Sequence, residues 1–387
     1  MNYGLYFHIP FCIKKCKYCD FLSFDSSTIP LNDKKSYFDA LSKEWENKSA
    51  LLSDDDIVDT IYIGGGTPSV VDAGYIQNII MMIKNSTIID DDSEITIEIN
   101  PGTVTLDKLK SYFSIGINRL SIGVQSTQNR LLKSLGRIHN VLDCENTIKL
   151  ARKAGFRNIN CDLIFGIPQI EGEAGQTLAE FKEDIMRVLN WGVTHLSAYS
   201  IIVEEGTTLC DLFKQKKAFE ISEDVERKMY YSMSDLLNKY NLFRYEISNY
   251  SKPNDQSKHN LRYWNCLPYI GLGLGAASYY PTHNINSEYI RESNTRDFHD
   301  YLNLRYQGEK EVISLNEQMK EFMMLGFRCV NGPDRVSFNK RFNIDYIEVF
   351  KNELNLLESK GLITIENSAK LTKKGFDFAN EVFREFV

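Results

Sequence analysis

The chain has 387 residues, of which 43% are hydrophobic and 25% are charged, and its formal net charge at pH 7 is −7. These proportions are typical of a globular protein with a sizeable core, and they exclude a disordered or fibrous chain. The acidic balance argues against nucleic-acid binding, and the lack of a signal-like N-terminus or a long apolar run predicts a cytoplasmic protein without a membrane anchor.

Six short β-prone segments alternate with amphipathic helical segments over the first 200 residues. The predicted strands are residues 5–9, 57–63, 94–99, 119–124, 158–165 and 195–201. Strands that alternate with helices indicate a parallel sheet, and six such units are fewer than the eight of a closed barrel. We therefore predict an α/β fold built on a partial (βα)6 barrel, with functional residues just after each strand.

Three closely spaced cysteines follow the first predicted strand, in the pattern Cys12-x3-Cys16-x2-Cys19. Three thiolates are soft ligands that suit an iron–sulfur cluster or zinc. Structural zinc usually takes four ligands in two pairs, and here His8 is the nearest candidate for a fourth. A four-iron cluster held by three cysteines leaves one iron open to an external ligand. The other cysteines are isolated, and we expect them to be structural: Cys144, Cys161, Cys210, Cys266 and Cys329.

Glycine and polar residues follow the other predicted strands. Residues 64–67 read Gly-Gly-Gly-Thr, and glycine lets the backbone approach a ligand closely. Glu98, Gln125 and Asp162 end the next strands, and Arg137 lies in a helical segment nearby. Arginine pairs with carboxylates, and acidic side chains accept hydrogen bonds from hydroxyl or ammonium groups. Each residue alone could be an ordinary hydrogen-bonded polar group, but together they predict a site for a ligand that carries all three groups.

Residues 205–290 interrupt this rhythm. A helical pattern over residues 221–240 is followed by tyrosine- and glycine-rich segments, which predicts a mixed α/β region. Gly271-x-Gly273-x-x-Ala276 loosely matches a dinucleotide-binding pattern, but it does not open a helix in a βαβ unit. We interpret it as a place of close packing, and the surrounding segment could equally line a porphyrin pocket.

The pattern of residues 310–387 predicts a third structural unit. Helical patterns at 315–327, 346–359 and 371–383, with a short strand at 362–366, suggest a winged-helix-like domain. From residue 309 to the end there are 12 basic and 13 acidic residues. The would-be reading helix carries Asp345, Glu348, Glu353 and Glu358 against one lysine, Lys351. Phosphates would repel it, so we do not expect this unit to bind nucleic acid.

The motifs resemble those of a known superfamily. CxxxCxxC after the first strand of a six-unit barrel is similar to the radical S-adenosylmethionine (SAM) superfamily. The segments LYFHIPFC, YIGGGTPS, EINPGT, RLSIGVQS, LGRIH, DLIFGIPQ and HLSAYSIIVEEGT resemble the coproporphyrinogen III dehydrogenase (HemN) group, over nearly the whole chain. The resemblance implies a [4Fe-4S] cluster held by Cys12, Cys16 and Cys19, with SAM on its open iron. It also implies the SAM-binding positions Tyr6, Gly65, Gly66, Thr67, Glu98, Gln125, Arg137 and Asp162.

Two sequence features separate the branches of that group. Dehydrogenases have a further cysteine two positions after the third, where this chain has Phe21. The HNxxYW motif of the heme-chaperone branch matches residues 259–264, which implies heme contact at His259, Asn260, Tyr263 and Trp264. Neutral imidazole is a common axial ligand of heme iron, and aromatic rings can stack on a porphyrin. Two alternatives stay open: one is that His259 serves only local hydrogen bonding, and the other is that the ligand is His8, His139 or His195.

We therefore expect a radical SAM core over residues 1–235, a mixed α/β extension with the HNxxYW segment over 236–305, and a winged-helix-like HemN-type domain over 306–387. The main hypothesis is a heme chaperone that passes heme to an acceptor protein. The alternative is an oxygen-independent coproporphyrinogen III dehydrogenase, a radical SAM oxidative decarboxylase. A radical SAM enzyme acting on an unrelated substrate is the third hypothesis, and the sequence leaves open whether the chain is an enzyme.

Overall fold

A computed structural model describes residues 1–282 and 288–387, and its first half alternates strands with helices. The strands in this part are β1 (Asn2–Ile9), β2 (Phe11–Cys12), β3 (Phe24–Asp25), β4 (Ile57–Gly65), β5 (Ile88–Ile99), β6 (Arg119–Gln125), β7 (Asn158–Phe165), β8 (Gln169–Ile170) and β9 (His195–Ser200). The helices are α1 (Leu31–Lys48), α2 (Ala73–Ser86), α3 (Leu106–Ser114), α4 (Asn129–Ser134), α5 (Val141–Ala154) and α6 (Leu178–Asn190), with 3-10 turns at Ser49–Leu51 and Pro68–Val70.

The long strands of this half form one parallel array. Their hydrogen-bonded order is β9-β7-β6-β5-β4-β1, and every neighbouring pair is parallel. Because parallel neighbours need crossover connections, a helix lies between consecutive long strands. The predicted α/β fold with six βα units is therefore confirmed, with β1 and β9 at the two ends of the six-stranded array.

Apolar and polar side chains alternate along the strands, which explains why one face of the array is polar. In β1, the buried Leu5, Phe7 and Ile9 belong to the main hydrophobic core, whereas Tyr6 and His8 project from the opposite face and hydrogen-bond to each other. The helices are delimited by local signals. Asn140 and Asp143 form a capping box at the start of α5, and Gly155 ends it in a left-handed conformation.

Residues 207–313 extend the sheet at both ends. The helices here are α7 (Thr208–Lys214), α8 (Glu223–Asn238), α9 (Lys258–Trp264) and α10 (Phe298–Leu302). The strands are β10 (Ala218–Phe219), β11 (Phe243–Arg244), β12 (Asn249–Ser251), β13 (Tyr269–Leu272), β14 (Ala277–Pro281), β15 (Tyr289–Asn294) and β16 (Gln307–Ile313). Strand β13 pairs in parallel with β1, and β12 pairs antiparallel with β9. Among the described residues, twelve strands thus form one mixed sheet.

Buried contacts tie this extension to the core. The carboxylate of Glu44 in α1 accepts hydrogen bonds from the Tyr301 hydroxyl at 2.6 Å and from the backbone N–H of Gly273 at 2.9 Å. At Gly271, an added Cβ would lie 2.0 Å from the Ala277 carbonyl oxygen, so the glycine-rich segment serves close strand packing. Glu44 therefore fixes the position of β13 against the first βα unit.

The C-terminal part contains a second hydrophobic cluster rich in phenylalanine. Its elements are α11 (Leu315–Gly326), α12 (Arg335–Phe342), α13 (Tyr346–Val349), α14 (Lys351–Ser359), β17 (Ile363–Ile365), β18 (Ala369–Leu371), α15 (Lys373–Asp377) and α16 (Ala379–Arg384). The helix predicted over 346–359 is divided at Phe350, whose φ of −107° and ψ of 31° are not helical. In the segment predicted as a helix over 371–383, Leu371 instead ends a strand that pairs with β17. Within residues 1–282 and 288–387, the structure shows no helix long and apolar enough to cross a lipid bilayer.

Candidate cluster and cofactor site

A cavity of ≈ 370 Å³ opens at the C-terminal ends of the parallel strands, where such folds place their ligands. It is lined by residues of the loop after β1 and by residues of β4, β5, β6, β7 and β9 and their following loops. The predicted site residues that line it are Cys12, Cys16, Cys19, Gly65, Gly66, Thr67, Glu98, Gln125, Arg137, Asp162 and Asn260.

The loop after β1 presents the three cysteines. Cys12 ends the short strand β2, which pairs with β3 and closes the loop, and the Cys19 N–H donates to the Cys16 carbonyl at 3.3 Å. All three thiols are free of disulfide bonds. Burial raises the pKa of the Cys12 thiol and raises that of Cys19 to about 11. The loop therefore offers three soft donors to one side of the cavity.

The donor set fits a cubane cluster. Among the described residues, no three His, Cys, Asp or Glu side chains converge closely enough to hold a single metal ion. The cysteines of a four-iron cluster each bind a different iron and need no common point. Gly66 leaves space beside the donors, because an added Cβ there would lie 3.1 Å from Cys12 Sγ and 2.9 Å from the Phe11 carbonyl oxygen.

Arg137 connects two of the cysteines to the cavity wall. Its Nη1 donates to Cys16 Sγ at 3.4 Å, and its Nη2 donates to Asn100 Oδ1 at 2.6 Å. The Asn100 amide donates to Thr67 Oγ1 at 2.7 Å, and Thr67 Oγ1 lies 3.5 Å from Cys12 Sγ. Because the Thr67 hydroxyl already accepts from Asn100, its proton is available to the sulfur. Such hydrogen bonds to cysteine sulfur are among the interactions that set cluster potential.

The glycine run after β4 brings the backbone to the cavity surface. Gly65 has a φ of +116°, a conformation that favours glycine, and an added Cβ would lie 2.7 Å from the His8 ring. Its N–H donates to Glu98 Oε2 at 3.0 Å. The run therefore has no room for side chains, and it fixes the carboxylate on the neighbouring strand.

Two carboxyl groups lie on the cavity wall. Glu98 also accepts from the Tyr62 hydroxyl at 2.8 Å, and burial raises its pKa to about 7. Asp162 accepts from Asn160 Nδ2 at 2.8 Å and from the Ser121 hydroxyl at 3.3 Å, and burial raises its pKa too. Both groups are held in fixed directions and can accept hydrogen bonds from a ligand's hydroxyl or ammonium groups.

Sequence reasoning missed Arg119, which lines the cavity although only 2% of it is exposed. Its Nε lies 3.9 Å from Glu94 Oε2 and has no hydrogen-bond partner among the described residues. Alternation along β6 could have identified Arg119 as a cavity residue. Every second residue of this strand from position 119 to position 125 lines the cavity. Asn100 and Tyr62 were missed as well, since nothing in their local sequence indicates their partners.

Tyr6 lies beside the cavity wall. Its hydroxyl donates to His8 Nδ1 at 2.9 Å, because His8 Nε2 must carry the proton that the Leu22 carbonyl accepts at 2.8 Å. The Tyr6 ring stacks on Tyr62 with ring centroids 6.2 Å apart. Both His8 nitrogens are therefore engaged, and burial lowers the pKa of its imidazole. In this arrangement His8 offers no free nitrogen to a metal.

The predicted heme-contact segment forms α9. The His259 ring is 1% exposed, its Nδ1 lies 3.0 Å from Thr60 Oγ1, and its Nε2 lies 2.8 Å from the Tyr263 hydroxyl. It stacks on Tyr62 at 5.2 Å, and burial lowers the pKa of its imidazole to about 3. The structure brings Asn260 to the cavity, whereas Trp264 packs under the guanidinium of Arg328 at 4.2 Å.

The two other candidate histidines are also buried. His139 Nε2 lies 3.3 Å from the Val124 carbonyl, and His195 lies between Asn160 at 2.6 Å and the Tyr245 hydroxyl at 2.9 Å. Burial lowers the pKa of His139 to about 4 and that of His195 well below its usual range. Both are neutral, hydrogen-bonded parts of the interior in this arrangement.

The six βα units and the cysteine-lined cavity define a radical SAM protein. Residues 6–181 match the family model of the radical SAM superfamily, and residues 313–378 match that of the HemN C-terminal domain. Membership of the superfamily implies a [4Fe-4S] cluster and SAM as cofactors. The residues described above fit both.

Comparison with curated proteins gives the particular family. The heme chaperones HemW of Lactococcus lactis subsp. lactis (strain IL1403) and Bacillus subtilis (strain 168) are 32% and 34% identical to this chain, over 99% of it and over 96% and 98% of their own lengths. That of Escherichia coli (strain K12) is 32% identical over 99% of this chain and 98% of its own length. The chain belongs to the heme chaperone HemW family.

The fold is also that of a solved structure. Coproporphyrinogen III oxidase (HemN) from Escherichia coli, a radical SAM enzyme, superposes with a TM-score of 0.80 over 99% of this chain and 89% of that one. The identity is 21%, so this likeness establishes the shared architecture alone.

Proposed function

We propose that the protein is a heme chaperone, which binds heme and passes it to an acceptor protein. In this proposal Cys12, Cys16 and Cys19 hold a [4Fe-4S] cluster that SAM completes. The observation that carries the proposal is the meeting of three free thiols with polar strand-end side chains in one cavity, in a chain that matches heme chaperones over 99% of its length.

The side chains of the cavity are assigned roles by their chemistry. The Glu98 and Asp162 carboxylates accept hydrogen bonds from the ribose and ammonium groups of SAM, and Gln125 offers both an acceptor and a donor. Gly65, Gly66 and Thr67 belong to the predicted set at the end of β4, and Tyr6 completes the set from within β1. Arg137 orients the cysteine loop and supplies a positive charge near the SAM carboxylate. When bound, a cluster of this kind supplies the electron for reductive cleavage of SAM.

Heme contact at α9 remains a prediction. Asn260 already lines the cavity and could meet a ligand there without rearrangement. His259 would first have to give up its contacts with Thr60 and Tyr263, because both ring nitrogens are engaged. Tyr263 and Trp264 would have to separate from His259 and Arg328 to present their ring faces.

Porphyrin binding and porphyrin turnover separate the proposal from the dehydrogenase alternative. Anaerobically reconstituted protein is titrated with hemin, with the Soret band as the readout, and is then incubated with coproporphyrinogen III, SAM and dithionite. We expect saturable hemin binding and no protoporphyrinogen, because Phe21 occupies the position of the dehydrogenases' further cysteine. Conversion to protoporphyrinogen would show that the protein is a dehydrogenase. Failure to bind hemin would contradict the proposal that it is a heme chaperone.

A further inference from the structure

Large apolar side chains are exposed at the mouth of the cysteine-lined cavity. Phe21 is 63% exposed and Ile202 is 66% exposed, and both line the cavity. Leaving large apolar side chains in water is unfavourable. Apolar surface that is exposed beside a cavity therefore marks a place where something binds.

The two side chains come from opposite ends of the parallel array. Phe21 lies in the loop after β1, and Ile202 lies in the loop after β9. These are the two end strands of the six-stranded order, yet residues of both loops line one cavity. The array therefore curls until its two ends border the same opening, with an apolar side chain on each border.

Two further exposed apolar side chains follow cavity-lining residues in the sequence. Ile13 follows Cys12, and Ile138 follows Arg137, so both flank cavity-lining residues, and both are exposed. The segment around Ile138 approaches the cysteine loop, since a Cβ on Gly136 would lie 3.2 Å from the side chain of Lys17. Phe21 and Ile202, which both line the cavity, are called the apolar rim below.

The charges at the mouth are unevenly placed. Lys14 and Lys15 line the Phe21 side, and Lys15 Nζ donates to the Phe21 carbonyl at 3.0 Å. Asp20 lies on the same side, and Glu204 lies on the Ile202 side. The Phe21 side therefore carries the mouth's two ammonium groups, and a ligand carboxylate is favoured there and disfavoured beside Glu204.

We propose that the apolar rim is the docking site of a planar tetrapyrrole, with the macrocycle held between Phe21 and Ile202 and its carboxylates directed to Lys14 and Lys15. This inference rests on the proposed heme chaperone and names the place where it carries its ligand. A flat apolar ring with acidic side arms matches two apolar side chains on opposite borders of one cavity that have cations on one side.

Docking at the rim needs no imidazole from α9. His259 keeps its contacts with Thr60 and Tyr263, and the bound iron receives no histidine from the interior. A macrocycle held by its faces and carboxylates can leave without breaking a strong axial bond, which suits a protein that gives its ligand away.

Hemin titration of single variants tests the site. Phe21→Ser and Ile202→Ser should each weaken hemin binding about fivefold or more, in the range of side chains that dominate an interface. Val336→Ser, at a residue of α12 that is 76% exposed, is the matched control and should leave the Kd unchanged. His259→Ala tests the alternative place, because heme contact at α9 would use the imidazole. Because Phe21 and Ile202 are exposed, their variants should fold, which circular dichroism checks.

A second arm tests the orientation of the carboxylates. Lys14→Glu combined with Lys15→Glu should weaken binding of hemin but not of hemin dimethyl ester, which lacks free carboxylates. If wild type binds hemin and the rim variants bind it equally well, the rim site is wrong while the chaperone proposal stands. Loss of binding in His259→Ala alone, in a protein whose circular dichroism matches that of wild type, would place the ligand at α9 instead. If wild type does not bind hemin, both proposals fall.

Discussion

Arg137 Nη1 lies 3.4 Å from Cys16 Sγ, a contact between residues that are 121 positions apart in the chain. The same guanidinium reaches Cys12 indirectly, through Asn100 and Thr67. One side chain from the segment after α4 thus holds two of the three cysteines of the loop after β1. The positions of the cysteines therefore depend on residues from several parts of the array and not on the loop after β1 alone.

Replacing Arg137 should therefore loosen the cluster. In Arg137→Ala, Cys16 loses its charged donor and Asn100 loses its partner, so we expect iron to be lost to a chelator several-fold faster than from wild type. Arg137→Lys keeps the charge but not the two-armed geometry, and should lie in between. The readout is decay of the cluster absorbance after addition of chelator. Arg157→Ala, at an exposed arginine, is the control, and its cluster absorbance should decay at the wild-type rate. Equal rates of decay in all four proteins would contradict the role of Arg137.

Removal of a single cysteine should abolish the cluster. Serine at position 16 retains the size of the side chain but replaces a soft sulfur ligand by a hard oxygen. In Cys16→Ser we expect the absorbance near ~400 nm and the bound iron and sulfide to fall to background. Cys210→Ser, at a buried cysteine of α7, should keep a full complement. A Cys16→Ser protein with undiminished iron and sulfide would refute the ligand assignment.

The affinity for SAM should depend on pH through Glu98. Burial raises the pKa of this carboxyl to about 7, so it is mostly protonated at pH 6 and mostly ionised at pH 8. Because the ionised form is the better acceptor, SAM binding should strengthen about tenfold between these pH values. Glu98→Gln cannot ionise, and its affinity should be weak and lack this step. Ionisation of SAM itself affects both proteins alike, so the difference between their calorimetric pH profiles is the test. Parallel pH profiles of the two proteins would show that ionised Glu98 does not contribute to SAM binding.

His259 should support the stability of the fold. In His259→Ala, Thr60 and Tyr263 each lose a buried hydrogen-bond partner, and we expect the free energy of unfolding to fall by about 2–4 kcal/mol at pH 7. Denaturant unfolding of both proteins measures this. His299→Ala, at an exposed histidine, is the control and should unfold like wild type.

The same histidine should make stability sensitive to acid. Burial lowers the pKa of His259 to about 3, against an ordinary value near 6.5 in the unfolded chain. Between these values the unfolded state binds the extra proton, so the contribution of neutral His259 is lost as the pH falls from about 6.5 towards 3. His259 contributes at most about 1.4 kcal/mol per pH unit to the change of the free energy of unfolding with pH. His259→Gln should show a shallower dependence on pH, and an unchanged slope would contradict the burial of a neutral ring.

Much of the site could be predicted from local patterns. The cysteine spacing, the glycine run and the polar residue at each strand end identified side chains that the structure brings to one cavity, because parallel strands end at a common edge. Asn100 could not be assigned in this way. Asn100 acts through Arg137 and Thr67, which are 37 and 33 residues away, and no local periodicity encodes such partners.

The sequence by itself determined the alternation of strands and helices, the soft donor set and the family, because these depend on periodicity and spacing along the chain. Only the tertiary structure decided that His259 is enclosed by Thr60 and Tyr263 while Phe21 and Ile202 are left exposed. The order and curl of the sheet bring together residues that are far apart in the chain, such as Thr60 and His259, which are separated by 199 positions. Burial and exposure follow from those long-range contacts, and the chemistry of a side chain does not reveal them.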